Sequence, residues 1–158
     1  MDNQLARKMA LNNLNIFHIK CTRGIYNDRL FRFVLNNVGN YTKEDIEWMR
    51  EFVNSSNELI GTGCLEILCS AGASTTEFAS YVSGNLEKKQ WCYKFIELAE
   101  KQNDPDSLLF FLEEDGIYLN RAILALKRNK QESYLTTLMF SDNDDFTKAV
   151  TRIVDNEK

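Results

Sequence analysis

The sequence predicts an all-α fold built as a solenoid of stacked helix pairs, on three observations. First, a two-helix pattern repeats. Leu108, Phe111 and Leu112, the turn Asp115-Gly116, then Leu119, Ala122, Ile123 and Leu126 form one copy. Shifted by 27 residues, the same slots hold Leu135, Leu138 and Met139, Asp142-Asn143, then Phe146, Ala149, Val150 and Ile153. Repeats of this length signal stacked supersecondary units. Second, helix breakers are scarce, with one proline and seven glycines in 158 residues; such scarcity favours helix. Third, apolar residues recur at three and four, and no alternating strand pattern competes.

Each element follows from caps and spacing. An N-terminal helix is expected from about Gln4 to Cys21, and a second from Asp28 to Val38, ending near Gly39. Pairs then follow: 43–54 with 57–71, 75–84 with 87–102, 105–114 with 117–130, and 132–140 with 144–155. Thr42-Lys43-Glu44-Asp45 sets a hydroxyl three residues before a carboxylate. Ser55-Ser56-Asn57-Glu58 and Ser74-Thr75-Thr76-Glu77 read as full capping boxes, in which the hydroxyl accepts an orphan amide and the carboxylate reaches back. Asp104-Pro105 reads as an N-cap before proline at the first helical position, where the missing N–H costs nothing. Ser133 opens a further helix, and Asp144 or Asp145 caps the last. The expected architecture is one domain of about ten helices, with 1–41 as N-terminal capping helices and 42–158 as about four helix-pair repeats. Small residues at mid-stripe (Gly63, Cys64, Cys92, Ala122, Ala149) let neighbouring helices approach closely.

Composition narrows the function classes. Hydrophobic residues make up 44% and charged residues 27%, the balance of an ordinary soluble domain. No apolar run approaches the roughly 20 residues of a membrane span, and no secretory leader is expected. Cys21, Cys64, Cys69 and Cys92 include no Cys-x-x-Cys pair, and His18 is the single histidine. Buried, reduced thiols in a cytoplasmic protein are therefore expected, without a disulfide framework or zinc site. The net charge of −4 conceals an asymmetry. Through Lys43 there are seven basic and two acidic residues, and after it twelve basic and twenty-one acidic. A basic end on an acidic body makes an electrostatically polar molecule.

The stretch Leu119-Asn-Arg-Ala122-Ile-Leu-Ala-Leu126-Lys-Arg-Asn resembles HEAT repeats and the related leucine-rich variant repeats. So do Tyr134-Leu135, Ser141-Asp-Asn-Asp and Thr147-Lys-Ala149-Val150. Arg121 and Lys148 fall in the slot where those families carry a basic residue before the second helix's Ala-Val. The likeness covers about 105–155 well and 43–103 weakly. It implies a HEAT/ARM-like right-handed superhelix that binds protein or, less often, nucleic acid.

No residue pattern points to catalysis. His18 lies on an amphipathic stretch with no orienting partner in view, so a packing role is expected. Gly61-Thr62-Gly63 lacks the strand of a nucleotide fingerprint. Ser70-Ala-Gly-Ala-Ser74 is a helix-ending turn. Asp142-x-Asp144 lacks the glycine and distal glutamate of a calcium loop. No cofactor or metal is expected. The two acidic clusters, Glu113-Glu114-Asp115 and Asp142, Asp144, Asp145, fall at equivalent turns of adjacent repeats. An acidic ridge for a basic protein partner is the functional expectation. Tyr118 is a candidate aromatic anchor; Trp91 has the helical spacing of a core residue.

The expected function is a non-catalytic protein-binding module, acting as a monomer. In kind, the chain is similar to the small, acidic, α-helical immunity proteins of bacterial contact-dependent and polymorphic toxin systems. That likeness implies a cytoplasmic inhibitor of a basic toxin domain. The alternatives are an adaptor or scaffold, or a HEAT-like nucleic-acid-binding or repair protein acting through the basic first third. The acidic body opposes the latter, because it repels phosphate.

Overall fold

In the computed structural model, residues 3–112 and 117–129 are described, and every regular element among them is helical. The seven α-helices among these residues are α1 (Asn3–Thr22), α2 (Asp28–Asn36), α3 (Lys43–Ile46), α4 (Glu58–Ser70), α5 (Lys89–Lys101), α6 (Pro105–Leu112) and α7 (Ile117–Arg128). Short 3-10 helices occupy Val38–Asn40, Glu47–Glu51, Thr75–Tyr81 and Ser83–Asn85. The all-α expectation holds for these residues. The solenoid, the count of about ten helices and the pair expected at 132–155 reach beyond the described residues. The chain divides into two compact units, Met1–Ala73 and Ser74–Lys158.

In the first unit, α1 buries Ala10, Leu14, Phe17 and Cys21, spaced at three and four on one helix face. Phe31 and Val34 of α2 face the same core. Gly63 of α4 receives the Phe31 ring: a Cβ there would lie 3.1 Å from Phe31 Cδ2. The small residue at mid-stripe thus allows a close approach, as its position predicts. Arg7 of α1 donates to the Asn40 carbonyl and to Asp45 Oδ2 at 3.3 Å. Tyr41 donates to the Ala10 carbonyl at 2.9 Å. Burial, reinforced by the nearby Asp45 charge, pushes the Tyr41 phenol up to about 12.

The 43–54 and 75–84 slots differ from the expected continuous helices. The Thr42–Asp45 capping box forms, but α3 stops after four residues and the chain tightens into 3-10 helix. Thr75–Tyr81 is 3-10 throughout behind the Ser74–Glu77 capping box. The core-facing residues explain the tightening. Ile46 and Met49, and likewise Thr75 and Phe78, are buried three apart, a spacing that eclipses on a helix of three residues per turn. A second correction concerns α4. Its cap is Asn57 rather than Ser55, with Asn57 Oδ1 accepting from Leu59 N at 3.1 Å and Ile60 N at 3.3 Å. Asn57 is as good a cap as serine. Its amide also donates to the Gly24 carbonyl, which ties α4's start to α1's end.

In the second unit, α7 packs against both α5 and α6. Leu119, Ala122, Ile123 and Leu126 are all buried, the stripe expected from the repeat. Trp91 stacks on Phe95 at 5.4 Å, Phe95 meets Phe111 at 5.9 Å, and Phe111 meets Tyr118 at 5.8 Å. Helix ends are closed by Schellman motifs. Gly24 and Gly72 take the left-handed position after α1 and α4, and Asn103 (φ 52°) takes it after α5.

Ala122 is fully buried where α7 meets its neighbours. Ala122→Asp is expected to cost roughly 3 kcal/mol or more, since an unpaired charge would enter the core. Gly63→Val, which drives two methyls into the Phe31 ring, is expected to cost about 1–3 kcal/mol. Urea denaturation followed by circular dichroism checks both; unchanged midpoints would contradict the packing described.

Candidate protein-interaction surface

All six exposed large hydrophobics among the described residues lie in the first unit: Leu5, Met9, Ile16, Ile19, Ile25 and Leu59. Four belong to α1, at exposures of 50%, 45%, 47% and 53%. At 100° per residue they share one side of the helix, roughly opposite the buried Ala10, Leu14, Phe17 and Cys21. Asn12 is exposed and falls within the same stripe. α1 therefore has two apolar faces, one holding the unit together and one facing outward. Isolated surface apolar residues need no explanation, but an aligned row along a helix is a candidate interaction surface.

The C-terminal end of this row is concave. His18, Ile19, Thr22 and Arg23 line a depression of about 190 Å³. Beside it the His18 imidazole lies flat on Trp48, with ring centroids 3.9 Å apart and planes 8° from parallel. Trp48 in turn meets Phe17 at 5.9 Å and Phe52 edge-on at 5.6 Å. His18 thus packs, the role expected of it.

The second unit carries a groove of about 350 Å³ between α5 and α7, lined by residues including Tyr93, Glu97, Glu100, Arg121 and Arg128. The Arg121 guanidinium sits 4.0 Å over the Tyr93 ring, a cation–π arrangement. Arg128 pairs with Glu100 at 3.4 Å, and Glu97 with Lys94 and Lys101. The slot that the repeat pattern reserves for a basic residue thus holds a cation stacked on tyrosine.

A polar cluster in the same unit is structural. Asp104 Oδ2 accepts from Ser107 Oγ (2.6 Å), Thr76 Oγ1 (2.7 Å) and Thr75 Oγ1 (2.8 Å), while Oδ1 accepts from Ser107 N (3.4 Å). Asp104 is therefore the N-cap of α6, as Asp104-Pro105 predicts. Thr75 and Ser107 are buried. Burial alone would raise the Asp104 carboxyl. The hydrogen bonds from Ser107, Thr76 and Thr75 outweigh it and hold the group below its usual range.

Of the sites expected from sequence, Glu113, Glu114, Asp115, Asp142, Asp144 and Asp145 lie outside the described residues. Tyr118 is 8% exposed, and its hydroxyl donates to the Leu86 carbonyl at 2.8 Å. It serves the core of the second unit and offers no exposed anchor. Trp91 is fully buried, as its spacing predicts. All four cysteines are buried and none is in a disulfide. Cys64 donates to Cys21, and this bond together with burial raises the Cys64 thiol well above its usual range. Among the described residues, no cluster of three or more His, Cys, Asp or Glu is placed to hold a metal, and no helix is long and apolar enough to cross a membrane. Two basic residues of the first third are engaged by carboxylates: Arg7 turns to Asp45, and Arg32 pairs with Asp28 at 2.8 Å. The outer stripe of α1 escaped the sequence reading because a helix with two apolar sides has no single amphipathic direction.

The chain matches no family model, no curated protein and no solved structure.

Asp104 sets a pH dependence. Its folded-state pKa is depressed, so its stabilisation is present above the ordinary carboxylate pKa of about 4 and is lost as pH falls through the folded value. Asp104→Asn should cost about 1 kcal/mol at pH 7, a figure reduced for partial exposure. The gap to wild type should close toward pH 3. Urea midpoints across that range measure it, and a gap independent of pH would rule the carboxylate's role out.

Proposed function

We propose that this chain is a non-catalytic protein-binding module that docks through the outer face of α1. The observation carrying this is the row Leu5, Met9, Ile16 and Ile19, which stays exposed although the other side of the same helix is fully committed to the core. Docked, such a row contributes apolar burial at about 25 cal/mol per Å². The concave end at His18 and Ile19 suits one inserted anchor side chain, the arrangement in which a few residues carry most of the binding energy.

Within this class, the finer proposal is an immunity protein that binds and neutralises a bacterial toxin domain. It is supported by the acidic body after Lys43, which draws in a basic toxin domain at long range while the outer face of α1 makes the direct apolar contact. An adaptor role in a larger complex uses the same surface. Nucleic-acid binding is the weaker alternative, because the outer face of α1 sets isoleucines where a phosphate-tracking surface needs a row of cations.

The test is affinity purification of the tagged full-length chain from its native cells, with partners identified by mass spectrometry, beside the double variant Ile16→Asp/Ile19→Asp. A specific protein should be retained by wild type and lost by at least about tenfold in the variant, with helical content unchanged. A toxin-domain protein among the lost partners supports the finer proposal. Retention of every partner by the variant would refute docking through α1.

A further inference from the structure

We infer that the outer face of α1 pairs with an acidic amphipathic helix of another protein, in coiled-coil register, with Asn12 setting the alignment. This rests on the docking surface proposed above and goes further, to the chemistry of what docks.

The register is legible in the spacing. Leu5, Met9, Asn12, Ile16, Ile19 and Arg23 alternate steps of four and three, and all six are exposed. That is the heptad seam, with Met9, Ile16 and Arg23 at one core position and Leu5, Asn12 and Ile19 at the other. From Leu5 to Ile19 it runs about 21 Å along α1 at 1.5 Å per residue, with Arg23 just past the helix end. A seam that steps every 3.5 residues matches a partner helix, which presents knobs at the same interval. The buried row, Ala10, Leu14, Phe17 and Cys21, lies away from this seam and stays in its own core.

Asn12 discriminates between occupants. A polar residue in the middle of an apolar seam is costly against lipid tails, where its amide finds no partner. Between paired helices, one buried asparagine facing another fixes register at a modest cost in stability. The seam thus favours a helix over a bilayer surface. Charge then selects the kind of helix. α1 has no Asp or Glu among its residues Asn3–Thr22, and the positions flanking its seam include Lys8 and Lys20. A second α1, in the register that faces Asn12 with Asn12, would bring no acidic residue to Lys8 or Lys20 and would set Arg23 beside Arg23, so pairing between copies of this chain is opposed. A partner with Glu or Asp at its flanking positions is complementary, and such flanking pairs set partner choice in coiled coils.

The experiment uses the full-length chain and two synthetic three-heptad peptides. Both carry Leu at the core positions and Asn at the one core position that meets Asn12. One is flanked by Glu and the other by Lys. Fluorescence anisotropy is expected to show the Glu-flanked peptide binding about tenfold or more tightly, with the preference fading in about 1 M salt. Lys8→Glu/Lys20→Glu should reverse the preference, and Ile16→Asp should abolish binding of both. Circular dichroism on each variant confirms that the helices persist. Binding of neither peptide, or equal binding of both, overturns the inference. So does a dimer of the chain that Ile16→Asp disperses in analytical ultracentrifugation. Sedimentation with phosphatidylserine vesicles, without peptide binding, would assign the face to an anionic membrane instead. If the cellular partner is lost in Ile16→Asp/Ile19→Asp while the peptides show no preference, docking through α1 stands and only the acidic-helix assignment falls.

Discussion

The burial of one side of α1 is the contact on which the rest of the first unit depends. Ala10, Leu14, Phe17 and Cys21 sit at 0–3% exposure. Sealing that face against the core fixes the helix's rotation about its own axis. Rotation in turn decides which residues look outward. Two polar ties reinforce the setting. Arg7 spans to Asn40 and Asp45, and Tyr41 reaches the Ala10 carbonyl. Asp45 does double duty: it closes the capping box of α3 and receives Arg7. The Thr42 amide contributes most to holding its carboxyl below the usual range. Burial opposes this, and the Thr42 hydroxyl and Arg7 help. A helix held in this way presents a rigid outer row, and rigidity limits the entropy lost on docking.

The second unit is held by a different balance. Its interior is aromatic, running from Trp91 through Phe95 and Phe111 to Tyr118. One end is closed by the buried hydroxyls of Thr75 and Ser107, which meet the part-exposed Asp104 carboxylate. Burying hydroxyls is tolerable only when each finds a partner. Here a single carboxylate serves three hydroxyls and caps a helix. Asn103, in the left-handed conformation, turns the chain from the end of α5 straight into that cap. The turn between α5 and α6 is thereby reduced to a few residues, which suits the close packing of these two helices.

Function and stability draw on opposite sides of one element. An apolar row left in water forgoes the burial that would otherwise stabilise the fold, by roughly 25 cal/mol per Å². Its persistence at four of the five seam positions within α1, with Asn12 the exception, against the ordinary exposure of isolated residues, is what gives the docking proposal its weight. The groove at Arg121 and Tyr93 in the second unit is more nearly charge-balanced. Its cations and carboxylates largely satisfy one another.

Local signals in the chain determined much of the fold. The ends of α1, α2, α4 and α5 fall within a few residues of where caps, glycines and periodicity put them. Such signals act over a single turn and survive in the sequence as Thr42, Ser74, Asp104 and the stripe through Ala122. Asn57 displaced Ser55 as a cap because the choice between two good caps rests on a distant contact, here with the Gly24 carbonyl. The 3-10 segments escaped for a related reason: three-residue and four-residue spacings overlap over so short a stretch, and packing decides between them. Tyr118 has the sequence of an aromatic anchor, yet its hydroxyl is used inside its own unit. The candidate site shows the same division most sharply. The residues of α1 spell two apolar rows on opposite sides of one helix, and nothing in the spacing says which row is buried. Only tertiary packing decides, because burial depends on what the rest of the chain brings against each side.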